Sequence, residues 1–140
     1  MSNISHAIDN FSLELIPTRV HLFNTHPENR KSILGHLLPI LLDTQFFCIS
    51  QCDQEISLVI PISYTPSFSK ISGMNRMEET FAVIRIFQDT HQINEHGIVN
   101  KISKLFAERD IPILYINSFN NNYVLIPEDK LESLHDFIEV

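Results

Sequence analysis

Hydrophobic positions along the chain change period several times, and each change marks an element. Between Phe11 and Phe23 the run FSLELIPTRVHLF alternates: Phe11, Leu13 and Leu15 share a face, then Val20 and Leu22 resume the extended pattern. Pro17 offers no N–H to a ladder and is expected to bend this strand or mark an edge. Pro27 suits the first turn of a helix, with Glu28 at its positive end, and Ile33, Leu34, Leu37, Leu38 and Leu41 then recur at helical spacing. Pro39 is expected to kink that helix or stop it early. QFFCISQ and EISLVIPIS read as extended runs joined by a polar turn over 52–55, so the first half is a β-α-β-β unit. Residues 1–10 read as a flexible leader, and 63–80, with Pro66, Gly73 and many small polar residues, as a connector containing one short helical turn.

The second half repeats the order. FAVIRIF, near-continuously apolar, predicts a central strand, and Ile98, Ile102, Leu105 and Phe106 then recur on one helical face, with Arg109 suited to the helix C-terminus. IPILYINSF predicts a strand, Asn120 to Asn122 a tight polar turn, and YVLIP the return strand, which Pro127 stops. EDKLESLHDFI predicts a final helix with Leu131, Leu134 and Ile138 turned inward. Two successive strand-helix-strand-strand patterns favour an α+β architecture of paired ferredoxin-like units with antiparallel sheets, over 11–72 and 73–140. An open α/β arrangement is the other possibility.

Composition narrows the function. At 140 residues and 44% hydrophobic the chain can bury a sizeable core, and a net charge of -7 leaves little positive surface for a phosphate backbone, so nucleic acid is not an expected partner. There is no apolar run of the roughly 18–20 residues that crosses a bilayer and no apolar signal core at the start, which predicts a cytoplasmic protein without membrane association. Cys48 and Cys52, four apart on one expected strand, are too distant for a relaxed disulfide and read as free thiols. The seven histidines form neither HExxH nor a Cys/His cluster, GxSxG and GxGxxG are missing, and Glu78 and Glu79 are adjacent rather than opposed. No metal, no cofactor and no catalysis are expected, with a small enzyme on a ferredoxin-like scaffold as an alternative.

The strongest binding signal surrounds Gly97. Glycine permits a tight turn as the following helix begins, leaving amides near Ile98 and Val99 available to a carboxylate. The neighbouring strand ends at Asn117, Ser118, Asn120, Asn121 and Asn122, whose amides and hydroxyl can complete recognition of a small zwitterion. The same residues also make an ordinary helix cap and an Asn-rich hairpin turn.

The segment HGIVNKISKLFAERDIPILYINSFNNNYVLIPEDKLE resembles the ACT-domain family, in particular the second ACT unit of the cytosolic arginine sensors that act on the TOR pathway. RVHLF, QFFCIS and EISLVI resemble the strands of the preceding unit; the likeness spans 11–138 and is strong over 96–131. It implies paired βαββαβ units that sense ligands or assemble without catalysis. Position by position, it implies that Gly97, Ile98 and Val99 meet an amino-acid backbone and that Ser118 and Phe119 end the ligand-facing strand. Asn122 stands where ligand-binding relatives have an aspartate for the ammonium group, and Glu95 is a nearby negative charge. A carboxylate there contributes about 1.5–3 kcal/mol that an amide does not match. The resemblance further implies a homo-oligomer or a larger protein partner, because arginine is held between units of two tandem pairs. A structural interaction module without a ligand is the alternative that Asn122 favours.

Overall fold

A computed structural model describes residues 3–4, 11–88 and 95–138. In chain order its elements are β1 (Asn3–Ile4), β2 (Phe11–Thr25), α1 (Arg30–Leu41), β3 (Cys48–Gln51), β4 (Ile56–Pro61), α2 (Thr65–Ser69), β5 (Asn75–Arg76), β6 (Phe81–Gln88), α3 (Glu95–Ala107), β7 (Leu114–Asn117) and β8 (Asn122–Pro127). Short 3-10 segments occupy Pro27–Asn29, Ile62–Tyr64 and Glu128–Leu134. Strands follow the hydrogen-bonded order β3-β4-β2-β6-β8-β7, with β1 and β5 also paired to β2. The architecture is α+β and ferredoxin-like, with antiparallel pairing. Two compact units form, one from Thr18–Phe81 and one from Ala82–Val140 together with the chain up to Pro17. β5 thus groups with the first half of the chain and the segment before Thr18 with the second.

In the Thr18–Phe81 unit, β2 pairs with β4 from Val20↔Pro61 to Thr25↔Ile56, and β4 pairs with β3. Phe23 and Asn24 also pair with Arg76 and Asn75 of β5, on the other side of β2. The expected connector carries its short helical turn as α2 and also β5, hidden in the sequence because it is only two residues long. The core gathers Phe23, Ile33, Ile40, Ile56, Leu58, Ile60, Phe68 and Ile71, with the Phe23 and Phe68 rings 5.9 Å apart and tilted. Gly73 at φ 81 closes the approach to β5. Its carbonyl accepts from Thr25, and Asn29 donates to both Ser72 O and Thr25.

α1 includes Pro39 and stops two residues past it, at Leu41; the residue four before the proline, whose carbonyl the ring crowds, is Gly35. The expected stripe needs correction, because it splits: Ile33 and Ile40 are buried and Leu37 packs beside them, whereas Leu34, Leu38 and Leu41 are exposed. Positions 33, 37 and 40 form one helical face, and 34, 38 and 41 lie about 100° around the axis.

In the other unit, β2 neighbours β6, and β6 neighbours β8, which pairs with β7 from Leu114↔Leu125 to Asn117↔Asn122. Leu13 and Leu15 meet Ala82, Ile84 and Ile86, Ile102 and Phe106 of α3, and Leu131, Leu134 and Ile138. β2 continues as strand through Pro17, which is exposed. Asn3–Ile4, expected to be part of a loose leader, pairs with Glu14 and Leu15. The last element is a 3-10 helix rather than an α-helix; three residues per turn put Leu131 and Leu134 on one side. After α3, Asp110 adopts φ 56 while its N–H bonds Ala107 O and the N–H of Ile111 bonds Phe106 O. That is a Schellman stop, completed by burial of Ile111 and Phe106 in the same cluster. It delays β7 to Leu114, three residues later than the apolar run suggests.

Candidate functional site

The structure distributes the expected site residues over α3 and the β7–β8 hairpin. Gly97 lies within the first turn of α3, which begins at Glu95, so it is a helical residue rather than a turn preceding the helix. It is half-buried, and Val99 is exposed. The backbones of Glu95 and Ile98 belong to α3, while their side chains lie outside the described residues. At the hairpin, Asn117 and Asn122 pair directly, leaving Ser118 to Asn121 as the loop. Ser118 closes it: its N–H donates to Asn121 O at 2.8 Å and its hydroxyl lies 3.3 Å from the same oxygen. Ser118 and Asn122 thereby lie at one hairpin tip, where Phe119 is 97% exposed. Asn122, half-buried, opens β8 rather than forming part of the turn.

Several polar networks were not apparent from sequence, because their partners are 21–59 positions apart. Tyr64 donates to Asp43 Oδ2 at 2.5 Å, Gln45 donates to the same oxygen at 3.0 Å and the Thr44 N–H caps Oδ1 at 2.7 Å. The Tyr64 bond, then those from Gln45 and Thr44, hold the Asp43 carboxyl below the usual carboxylate range, and Asp43 pushes the Tyr64 hydroxyl up. His21 pairs through Nδ1 with the Thr65 hydroxyl at 2.6 Å and through Nε2 with Thr80 at 3.2 Å. Burial, and secondarily Arg76, lowers its pKa. His36 Nδ1 meets Ser67 Oγ at 2.5 Å, joining α1 to α2.

In the other unit the Arg109 fork grips Asp136 at 2.8 Å through both oxygens, reaches Ser133 O at 2.6 Å and covers the Phe137 ring. The pairing raises Arg109 and lowers Asp136 from their ordinary pKa values. Glu14, 5% exposed, points away from Leu13 and Leu15, and Arg85 Nη2 approaches its Oε1 to 2.7 Å while stacking on Phe87. The distance makes an ion pair, but the angles do not make a hydrogen bond, and Arg85 Nε likewise has no hydrogen-bond partner among the described residues. The strand alternation that puts Leu13 inward offered a signal for Glu14, since it fixes which face the acid takes.

Cys48 is half-buried, its thiol pushed up by burial; Cys52 is exposed, and both are free. Among the described residues no group of three or more His, Cys, Asp or Glu is placed to hold a metal, and no helix is long and apolar enough to cross a membrane.

These elements are shared with known proteins. The chain is 29% identical over 119 residues to the cytosolic arginine sensor for mTORC1 subunit 1 of Bos taurus, covering 84% of this chain and 36% of the relative. It spans about a third of the length of the curated relatives it matches. Among solved structures, a protein from Agrobacterium tumefaciens superposes with a TM-score of 0.68 at 18% identity, covering 89% of this chain and 84% of that one. The regulatory subunit of aspartate kinase from Thermus flavus superposes with a TM-score of 0.58 at 13% identity, covering 91% and 94%. At those identities the superpositions speak for the fold alone. Residues 76–134, from β5 through the final 3-10 helix, match the ACT domain family model.

Proposed function

We propose that this protein is a non-catalytic regulatory module of paired ACT-like units that binds a small amino acid at a subunit interface and so controls its assembly or a protein partner. It works in the cytoplasm, as a homo-oligomer or with a larger protein, without cofactor, metal, nucleic acid or membrane. The observation that carries this reading is the ACT match over 76–134, which contains Gly97, Ile98, Val99, Ser118, Phe119 and Asn122. Its similarity to relatives named as cytosolic arginine sensors supports an amino acid as the ligand class. Backbone amides of the first turn of α3 meet the carboxylate, the Ser118–Asn122 tip meets the ammonium group, and Glu95 adds negative charge. Ligand that bridges two subunits stabilises the assembled state over the separated one, and this difference is the regulation.

The test is calorimetry of the purified chain against the twenty amino acids, with Asn122→Asp in parallel. A carboxylate at 122 restores a charge-assisted bond and is expected to tighten binding roughly 10- to 150-fold. Absence of heat with every amino acid for both proteins overturns the ligand reading. Asn122 itself favours a second reading, an interaction module with no small-molecule ligand, which that outcome selects provided the chain still associates.

A further inference from the structure

α1 turns a stripe of leucines to solvent. Leu34 is 64% exposed, Leu38 59%, Leu41 62% and Leu42, just past the helix, 80%. Spacings of four, three and one put all four on one side of the 12-residue helix, while Ile33 and Ile40 hold the other side to the core. A contiguous apolar stripe of this kind marks an interaction face, unlike singly exposed residues such as Ile49 or Met77. Gly35 lies within it, and a Cβ built there would meet nothing within 4 Å, so the backbone beside Leu34 and Leu38 is bare.

The charges flanking the stripe define its partner. α1 opens on Arg30 and Lys31 with no acid in its first turn; it closes with no base in its last turn and is followed by Asp43. Both ends oppose the helix's own dipole, which favours acids at the start and bases at the end. A second α1 laid antiparallel corrects both, bringing each basic start to the carbonyl end and Asp43 of the other. Glu28, two residues ahead of Arg30, belongs to the preceding 3-10 turn, where its N–H donates to His26 Nδ1.

We infer that the α1 face is a two-fold interface with a second copy of this chain, the helices running antiparallel and crossing at Leu38. With Leu38 on the axis, Leu34 meets Leu42 of the partner copy, Leu41 lies over bare Gly35, and Lys31 reaches toward the end of the opposite helix. Asp43 is held ionised by Tyr64 and Gln45, so its charge is available there. At about 1.5 Å per residue each helix presents a face roughly 18 Å long, a small interface that dissociates on dilution. This inference rests on the self-association part of the reading above and not on its ligand.

Sedimentation velocity over about a 100-fold concentration range into the high micromolar range should show reversible dimerisation. Leu38→Glu, at an exposed site, sets two carboxylates together on the axis and should weaken the dimer roughly 100-fold or abolish it, with circular dichroism unchanged. Should that variant misfold, Lys31→Glu tests the charge argument alone and should weaken the dimer several-fold, less so in high salt. In a Cys48→Ala/Cys52→Ser background, Leu38→Cys should oxidise to a linked dimer. Leu34→Cys should link to Leu42→Cys in a mixture and not to itself. A chain monomeric at every concentration, or a dimer indifferent to Leu38→Glu, overturns the inference; self-linking of Leu34→Cys overturns the antiparallel arrangement. Missing amino-acid heat with dimerisation intact defeats the ligand reading alone, and a monomer that still binds an amino acid defeats this inference alone.

Discussion

The Thr18–Phe81 unit and the unit that begins at Ala82 use the same succession of strand, helix and hairpin but complete it differently. In the first, the hairpin strand β4 ends at Pro61, where φ -54 and ψ 139 lead into a 3-10 turn, then α2, and the short β5 returns to the edge of β2. In the second, β8 ends at Pro127 with nearly the same angles, -55 and 135, and enters another 3-10 segment, but the strand next to β6 is β2 itself. One unit is thus closed by residues a few positions downstream, and the other by a segment more than 60 positions upstream of its own first strand. The helices differ as well. α3 ends in a complete Schellman stop and is tied to the C-terminal segment by Arg109, whereas α1 has no side-chain cap at Asn29, carries Pro39 inside it and leaves Leu34, Leu38 and Leu41 outward. The lesson is that matching order does not imply matching local stability: α1 relies on Ile33, Ile40 and Phe68 rather than on its own propensity and caps.

The comparison can be broken most severely at the aromatic centres. Phe68→Ala and Phe106→Ala each remove a ring with no exposure and should cost about 3–5 kcal/mol in denaturant unfolding. Hydrogen exchange should report the first loss within α1 and α2 and the second within α3 and the final 3-10 segment. Equal loss of protection throughout the chain would show that the two cores do not respond separately.

Smaller changes probe the left-handed positions. Gly73→Ala is expected to cost about 1–2 kcal/mol, because its φ of 81 strains any Cβ whatever the space, and Asn29 Nδ2 lies 3.4 Å from that carbon. Asp110→Gly should act the other way, adding about 0.5–1 kcal/mol by relieving φ 56, with the melting temperature as the readout.

The smallest expected effect is a pH dependence. His21 has a folded pKa below its ordinary 6.5, so the unfolded chain binds the proton more readily. Its contribution is fully present above pH 6.5 and is lost as pH falls toward the lower folded value. Asp43 and Asp136 are also depressed, and their contributions are present above the ordinary 3.8 and lost below it. Unfolding titrations should therefore show a first decline below 6.5 that His21→Gln flattens, and a second below 3.8 that it leaves unchanged. A first decline that survives His21→Gln would assign it to another group.

Much of this molecule can be read from periodicity. The core residues Leu13, Leu15, Ile102, Phe106, Leu131, Leu134 and Ile138 were all placed by spacing, because a buried face repeats with the period of its element. β5 was not legible, being too short to establish a period, and the final segment was read as helical without its 3-10 winding. A polar turn at Asn120 and Asn121 was visible, since a hairpin is a local structure, but not that the loop starts at Ser118 and that Asn122 opens β8. The exposure of Leu34, Leu38 and Leu41 was not, because hydropathy gives a helix an apolar surface without saying which part of it is covered.

Sequence by itself determined the alternation of elements and the apolar faces that must be buried, both of which depend on neighbours a few positions away. Only the tertiary structure decided that β2 serves both units, that Glu14 meets Arg85 and His21 meets Thr80, and that one side of α1 stays bare. Those outcomes follow from strand order and distant pairing, which a one-dimensional pattern of polarity leaves undetermined.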